Sequence, residues 1–404
     1  MKFTNKLLSE VVFFQEGPGV RKFQFRNEGV KLLNVGNINK GVLDTSTTKL
    51  YISEEEAYGK YKHFLVDEGD LLIASSGIVV DNFHNKIAYV KKEHLPLCLN
   101  TSTIRFKTLD ENVFNLDYLK FYLKTTHFKN QLRKLITGAA QLNFGPSHLK
   151  KITLPVPPLP DQLHIANLLS KTENLIAQRK ESIRLLDEFL KSTFLEMFGD
   201  PVRNEKGWKT KPLNQIVDKL GDGLHGTPVY DDNGEYFFIN GNNLEKGFIR
   251  TDEKTKRVSY EEYTKHTKEL NENTILVSIN GTLGRVAFYR GEKIILGKSA
   301  CYFNLIKGSI DSLFLFHFLQ SEFFLKYVTN KATGSTISNV SLKTMRELPI
   351  IIPPPILQTQ FAQIVEKTEA LKTQYQQSLQ ELENLYGSLS QKAFRGELKM
   401  KQNV

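Results

Sequence analysis

The apolar positions of this chain follow more than one period. Short apolar or alternating runs, LLIAS (71–75), KIAYV (86–90) and STIRFK (102–107), are typical of strands, and Gly and Asn residues between them indicate turns. Aromatic-rich stretches at about 116–135 and 312–330 predict helices. The chain therefore mixes strand and helix segments, which predicts an α+β fold.

A proline cluster follows each aromatic stretch, at 154–162 and 348–355, and predicts an extended connection. After each cluster a seven-residue apolar period continues for about five heptads, which predicts two coiled-coil helices. We expect the first helix at about 161–197, because Gly199 favours a left-handed cap and Pro201 blocks continuation. The main seam positions are Leu169, Ile176, Ile183 and Leu190 in the first helix, and Phe361, Tyr375, Leu382 and Leu389 in the second.

The chain also contains an internal repeat. TGAAQLNF (137–144) aligns with TGSTISNV (333–340), and PPLPDQLHIANLLSKTE (157–173) aligns with PPILQTQFAQIVEKTE (354–369). The front of each copy matches more loosely, as in VGNINKG and NGNNLEKG. A period of this length indicates a duplicated domain rather than a solenoid unit.

The repeat predicts a domain organisation. We expect globular domains at 1–155 and 201–350, each followed by a proline box and a long helix, at 156–200 and 351–404. If the two helices pair along their seams, the second runs back antiparallel, and the domains lie at opposite ends of a rod with pseudo-twofold symmetry. The alternative is that each helix folds back onto its own domain. The length and regularity of the seams favour the rod.

Composition adds a hint about partners. The chain has 54 Lys and Arg against 44 Asp and Glu, a net charge of +10, which favours a polyanionic partner. Its hydrophobic content of 40% is enough for real cores, yet no apolar run reaches the roughly 20 residues of a membrane span. Two cysteines exclude a disulfide framework. We expect a soluble cytoplasmic protein.

Motifs for catalysis are not found in the sequence. An amino-methyltransferase needs an Asn/Asp-Pro-Pro-aromatic box, whereas the prolines here are flanked by aliphatic residues. The segment GEKIILGKS (291–299) has one residue too many for a P-loop, and a strand is predicted at 300–303 where a phosphate-binding helix should begin. The histidines are scattered. We therefore expect no catalytic residue, no metal site and no cofactor on this chain.

Contacts with DNA bases and phosphates need Arg, Lys, Asn, Gln and small hydroxyls on loops. Such residues lie in three glycine-containing loops of each copy, although Asn and Gly there are also explained by turn chemistry alone. The candidates in the first copy are Arg21, Lys22, Arg26, Asn37, Asn39, Lys40, Ser75 and Ser76. Those in the second copy are His225, Thr227, Asn242, Asn243, Lys246, Asn280, Thr282, Arg285 and Lys298. The segments 137–144 and 333–340 are better preserved between the copies, so we expect them to pack against the helices or to contact phosphate.

This order of segments resembles the specificity subunit of type I restriction-modification systems over essentially the whole chain. One departure, Ile356-Leu357 in place of the earlier Leu159-Pro160, affects only a connector. The motifs that carry the resemblance are PPLPDQLHIANLL (157–169), EMFGDP (196–201), PPPILQTQFAQIV (353–365), AFRGEL (393–398), GNINKG (36–41) and GDLLIASSG (69–77).

The resemblance implies two target recognition domains, each of which recognises one half of a bipartite, asymmetric double-stranded DNA sequence. It implies that the helices set the distance between the halves and dock two methyltransferase subunits and, through them, two endonuclease/translocase subunits. S-adenosylmethionine, ATP and Mg²⁺ would then belong to those partners. One alternative is a coiled-coil scaffold that joins two protein-binding domains without DNA. The other, a self-sufficient methyltransferase-nuclease, is opposed by the missing motifs.

Overall fold

The computed structural model describes residues 3–136, 142–333 and 338–398. Its contacts divide the chain into unit 1, residues 1–179 with 378–404, and unit 2, residues 180–377. Each of the two long helices therefore contributes one segment to each unit.

Unit 1 is built on a four-stranded antiparallel sheet. Its strands, in spatial order, are Val12–Glu16, Thr103–Thr108, Leu71–Ala74 and Ile87–Tyr89. A three-stranded sheet has the order Leu97–Cys98, Val30–Leu32 and Tyr51–Ile52. The two-stranded pairs are Thr4–Leu7 with Thr153–Val156, Ile38–Asn39 with Val42–Leu43, and Ser76–Ile78 with Leu142–Asn143.

Unit 2 repeats this strand order. Its four-stranded sheet contains Val217–Asp222, Ala300–Leu305, Thr274–Ser278 and Val286–Phe288. Its three-stranded sheet contains Ile294–Leu296, Tyr236–Ile239 and Arg257–Val258. The two-stranded pairs are Lys209–Pro212 with Pro349–Ile352 and Leu244–Glu245 with Phe248–Ile249. The prediction of an α+β fold is thus confirmed, and the strands predicted at 71–75, 86–90 and 102–107 are present.

The predicted aromatic helices are each broken in two, which corrects the prediction of continuous helices. Thr125 ends one helix and caps the next, with its hydroxyl accepting from the Phe128 amide, and Ser321 caps in the same way. The four helices are Leu116–Lys124, Thr126–Leu135, Ser312–Phe318 and Glu322–Lys331. Shorter helices are Glu54–Tyr58, Pro146–Leu149, Tyr260–His266 and Leu342–Arg346.

The long helices span Leu159–Phe198 and Pro355–Arg395. The first begins earlier than predicted, and Pro160 and Pro355 lie within the first turns of the two helices, where a missing amide hydrogen costs nothing. Gly199 has a φ of +77°, as expected for a left-handed cap. Within the described residues, neither of these helices nor any shorter one has the length and apolarity to cross a membrane.

Both long helices complete the core of each unit. In unit 1, Ile165 and Leu169 of the first helix lie in one apolar cluster with Ala393 of the second. In unit 2, the rings of Phe194 and Phe361 are 5.5 Å apart and edge-on, which is favourable geometry for an aromatic pair. All eight main seam residues are buried or half-buried.

Polar contacts add to the apolar packing of the helix pair. In unit 1, Tyr386 donates to Glu173 at 2.9 Å, and Lys124 donates to the same carboxylate at 2.6 Å. Burial lowers the pKa of Lys124, an effect that the Glu173 charge opposes. In unit 2, Lys372 bonds Asp187 at 2.5 Å. On the first helix, Asp187 contacts Lys372, and Phe194, further along the chain, contacts Phe361. Phe361 precedes Lys372 on the second helix, so the two segments run antiparallel in unit 2.

A buried glutamine ties each proline box to its unit. The Gln162 side chain is fully buried, accepts from the Asn115 amide at 2.9 Å and donates to Val113 and Pro157 carbonyls at 2.9 and 2.8 Å. Gln358 does the same in unit 2 with Asp311 and Pro353. In each unit, several neighbouring backbone groups therefore have their hydrogen bonds with one glutamine side chain.

We predict that Gln162→Ala lowers the free energy of unfolding by about 2–3 kcal/mol, because it leaves buried backbone donors and acceptors without hydrogen-bond partners. Thermal and urea unfolding of the full chain measure this. Gln374→Ala, at an exposed position of the second long helix, is the matched control and should have little effect. Equal effects of the two substitutions would contradict the structural role assigned to Gln162.

Candidate nucleic-acid interface

Three loops of unit 1 converge on one short turn, residues 100–103, which we call the central turn. The Gly17 amide donates to the Thr103 carbonyl at 3.2 Å, and the Ser75 amide donates to the Ser102 carbonyl at 2.8 Å. The Asn100 side chain donates to Asn34 at 3.3 Å. The loops that follow positions 17, 34 and 75, which carry the predicted contact residues, therefore lie together.

Unit 2 has an equivalent central turn at 297–300. The Lys298 amide donates to Leu224 at 2.9 Å, next to the candidates His225 and Thr227. Ser299 accepts from the Ile279 amide with its carbonyl at 3.0 Å, and from the Gly241 amide with its hydroxyl at 2.9 Å. The candidate loops of the second copy are thus also brought together.

The first loop of each unit begins at a glycine that has no room for a side chain. A Cβ at Gly17 would lie 2.3 Å from the Asn100 nitrogen, and one at Gly223 would lie 2.0 Å from the Leu296 oxygen. These distances are far inside van der Waals contact. The loop can approach the neighbouring backbone, at the central turn in unit 1 and at the end of strand Ile294–Leu296 in unit 2, only because glycine stands there.

The same loop is held from its other side by a glutamate. Gln24 donates to Glu56 at 2.6 Å in unit 1, and the Val229 amide donates to Glu262 at 3.1 Å in unit 2. Both glutamates occupy the first turn of a short helix that begins with a serine cap. The loop is therefore anchored at both of its ends.

The second loop is shaped by asparagines that the sequence predicts as DNA contacts. Asn37 is 3% exposed, accepts from the Asn34 amide at 2.8 Å and donates to the Asp44 carbonyl at 2.9 Å. Asn243 makes the equivalent bonds with Asn240 and Arg250, at 2.9 and 3.0 Å. In this structure, both side-chain amides hold the turn. Turn chemistry is the alternative to DNA contact that the sequence leaves open for these asparagines.

A two-residue hairpin turn ends the second loop. Lys40 and Lys246 adopt φ angles of 49° and 46°, and each is followed by a glycine with positive φ. Such angles are uncommon for lysine and fit the twist of tight hairpins. Both lysines, together with Asn39, are exposed at the hairpin tip.

Basic side chains from a neighbouring strand or loop brace these hairpins. Lys86 donates to the Ile38 carbonyl at 2.8 Å in unit 1. In unit 2, Arg285 donates to Asn242 at 3.0 Å and Arg290 to Gly247 at 2.7 Å. Arg285 thus links two of the predicted contact loops.

The third loop is supported by the repeated segments. Ser75 is 1% exposed, while the Ser76 hydroxyl and Gly77 amide donate to Asn143 at 2.7 and 3.0 Å. In unit 2, the backbone of Asn280 forms a bridge with Asn339. Residues 137–141 and 334–337 of these segments lie outside the described residues.

Most of the remaining candidates face solvent. The His225 Nε2 atom lies 2.7 Å from the Asp222 carboxylate and is hydrogen-bonded to it. In unit 1, burial raises the pKa of Glu16, which directly precedes the first loop. Lys298 precedes the strand Ala300–Leu305, so the P-loop-like segment indeed continues as a strand. Besides Asn39, Lys40 and Lys246, the exposed candidates are Arg21, Lys22, Arg26, His225, Thr227, Asn242, Thr282, Arg285 and Lys298, and Asn280 is half-buried.

Comparison with known proteins gives the family of this chain. The model of the type I restriction modification DNA specificity domain matches twice, over residues 2–185 and 205–384. The chain belongs to the type I restriction-modification specificity family. It is therefore the DNA-recognition component of a restriction-modification complex and not a catalytic component. The scaffold alternative is not favoured.

Specificity subunits of several organisms are similar to this chain along most of its length. The MjaIX specificity subunit of Methanocaldococcus jannaschii is 26% identical over 376 residues, 87% of this chain and 84% of that protein. The EcoKI specificity subunit of Escherichia coli is 22% identical over 396 residues, 92% and 83% of the two chains. The crystal structure of a type I S subunit from M. genitalium has a TM-score of 0.56 and 16% identity, covering 99% and 97% of the two chains, and supports the fold.

Sequence reasoning missed the residues that hold the loops of this specificity subunit in place. An offset of 206 residues pairs Lys40 with Lys246, and the same offset pairs Gly17 with Gly223 and Glu56 with Glu262. Extending the loose front alignment at that offset would have revealed them. The signal is weak because few letters between the pairs are identical.

We predict that Gly17→Ala weakens specific DNA binding by the assembled complex about tenfold. The added methyl group must displace the loop that carries Arg21 and Lys22, at a cost within the usual 1–3 kcal/mol of overpacking. Gly19→Ala is the matched control, because the nearest atom to its Cβ, in the Thr101 side chain, is 3.7 Å away. Duplex-binding titrations measure both variants. Wild-type affinity for Gly17→Ala would show that the loop tolerates displacement.

Proposed function

We propose that this specificity subunit recognises a bipartite, asymmetric DNA target, one half through the domain at 1–155 and the other through the domain at 201–350. The long helices set the distance between the halves and dock two methyltransferase subunits. Two endonuclease/translocase subunits join through these. The cytoplasmic complex takes S-adenosylmethionine, ATP and Mg²⁺ on its partner subunits.

The observation that carries this proposal is that both units build the same loop framework and present different side chains on it. Arg21 and Lys22 of the first loop correspond to Thr227 and Pro228 in unit 2, at the offset of 206. Asn39 of the hairpin corresponds to Glu245. Because bases are distinguished by their hydrogen-bond donors and acceptors, different side chains on one framework imply different half-sites.

Charge and exposed apolar surface support the two kinds of partner. The net charge of +10 favours binding to DNA phosphates, which releases counterions and makes affinity salt-dependent. The first long helix exposes apolar side chains that face away from the cores, a feature of protein interaction sites. These are Leu163 and Leu175 in unit 1, and Leu185, Phe189 and Leu195 in unit 2, each 48–50% exposed.

We predict that four residues inserted at Ser182 lengthen the unrecognised spacer of the target by one or two base pairs. The insertion extends the helix Leu159–Phe198 by about 6 Å and rotates the part of the helix beyond it by about 40°, because four residues slightly exceed one turn. The seam is disturbed only locally, as in a coiled-coil stutter. Methylome sequencing of a host that expresses the variant with its methyltransferase partner gives the new motif.

Ser182→Ala, which keeps the helix length, is the control and should leave the motif unchanged. Active methylation by the insertion variant with the original spacer would show that the helices do not set the distance. Methylation at a motif without two separate halves in the wild type would contradict bipartite recognition itself.

A further inference from the structure

Two apolar side chains protrude from the first loop of the two units. Phe23 is 81% exposed and Val229 is 74% exposed, the highest values for large apolar side chains in the described part of the chain. They occupy equivalent positions, at the same offset of 206 that pairs Gly17 with Gly223. Single exposed apolar residues are common, but an equivalent pair on the two loops of the interface is not explained by chance exposure.

The loop around each of them is well packed. Val20 and Phe25, on either side of Phe23, pack against an apolar cluster of unit 1. The Phe23 side chain, between them, does not join this cluster and points into solvent. In unit 2, the Tyr230 ring next to Val229 lies 6.0 Å from the Phe238 ring. Both side chains therefore point into solvent from a loop that is itself packed against its unit.

The surroundings of Phe23 are cationic, whereas Val229 has both a cation nearby and the Glu262 carboxylate, which accepts from its amide at 3.1 Å. Arg21, Lys22 and Arg26 flank Phe23, and all three are exposed. In unit 2, Lys256 lies 5.6 Å from the Tyr230 ring. A partner with phosphates for the cations must also offer an apolar group. In the major groove of DNA that group is the 5-methyl of thymine, which Phe and other apolar side chains contact.

We propose that Phe23 and Val229 each contact the 5-methyl group of a thymine, one in each half of the DNA target. This inference rests on the proposed function, since it requires each unit to bind its own half-site. It adds an apolar specificity contact to the polar contacts predicted from the sequence.

Deoxyuridine, which is thymine without the 5-methyl group, tests the proposal directly. The probes are duplexes of the target identified by methylome sequencing, with single thymines replaced by deoxyuridine, and the protein is the full chain assembled with its methyltransferase subunits. Burying one methyl group corresponds to about a fourfold change in affinity. We expect one replacement in each half-site to weaken wild-type binding by about that factor.

The variants assign each effect to a residue. Phe23→Ala should bind the thymine duplex less tightly and lose the uridine effect in one half-site only, and Val229→Ala should do so in the other. Leu109→Ala and Ile306→Ala are matched controls, because these side chains are 58% and 43% exposed at the opposite ends of the same strand pairs. Both controls should keep both uridine effects. Thermal unfolding of the two test variants should match that of the wild type.

Several outcomes would overturn the proposal. Specific wild-type binding without any uridine effect, or a half-site that contains no A·T pair, would remove the methyl contact and leave the proposed function intact. A Phe23→Ala variant that keeps the uridine effect but bends DNA less would identify Phe23 as a wedge between bases instead. No sequence-specific binding by the wild-type complex would refute the proposed function together with this inference.

Discussion

Each unit of this protein completes its core only with segments from both long helices. Ile165 and Ala393 meet in the core of unit 1, and Phe194 and Phe361 meet in that of unit 2, although about 170 to 230 residues separate the partners in sequence. The sheets that carry the recognition loops pack on these same cores. The position of every loop therefore depends on the pairing of the helices within its unit, and the buried Gln162 and Gln358 side chains fix the point at which each helix begins.

In both units, the residues that hold the loops in place are different from the residues at the exposed loop tips. Residues that support the loops are equivalent in both copies: glycines without room for a side chain, glutamates that anchor the first loop, and asparagines that hold the second. Residues at the exposed tip of the first loop differ, as Phe23 and Val229 do, while Lys40 and Lys246 at the hairpin tips are the same. A framework that does not change lets tip residues vary without loss of stability, because substitutions at exposed positions away from special contacts cost little. Under the proposed function, this lets a duplicated domain recognise a different sequence with each copy.

Much of this organisation is predictable from the sequence, and the misses have physical causes. The heptad period indicates the extent of the long helices, and Gly199 indicates the end of the first, since both are local signals. The break at Thr125 was missed because the aromatic pattern continues through it. The residue type of Asn37 suits both base contact and turn formation, so the sequence alone does not show that this side chain is buried and holds the turn. The contacts at Gly17 were not predictable, because they join residues distant in sequence.

In the proposed function, each unit recognises its own half-site independently of the other. Exchange of residues 201–350 for the equivalent region of another specificity subunit, followed by methylome sequencing, tests it most directly. We expect one half of the methylated motif to change, while the other half and the spacer length remain as they were. A motif in which both halves change would contradict independent recognition.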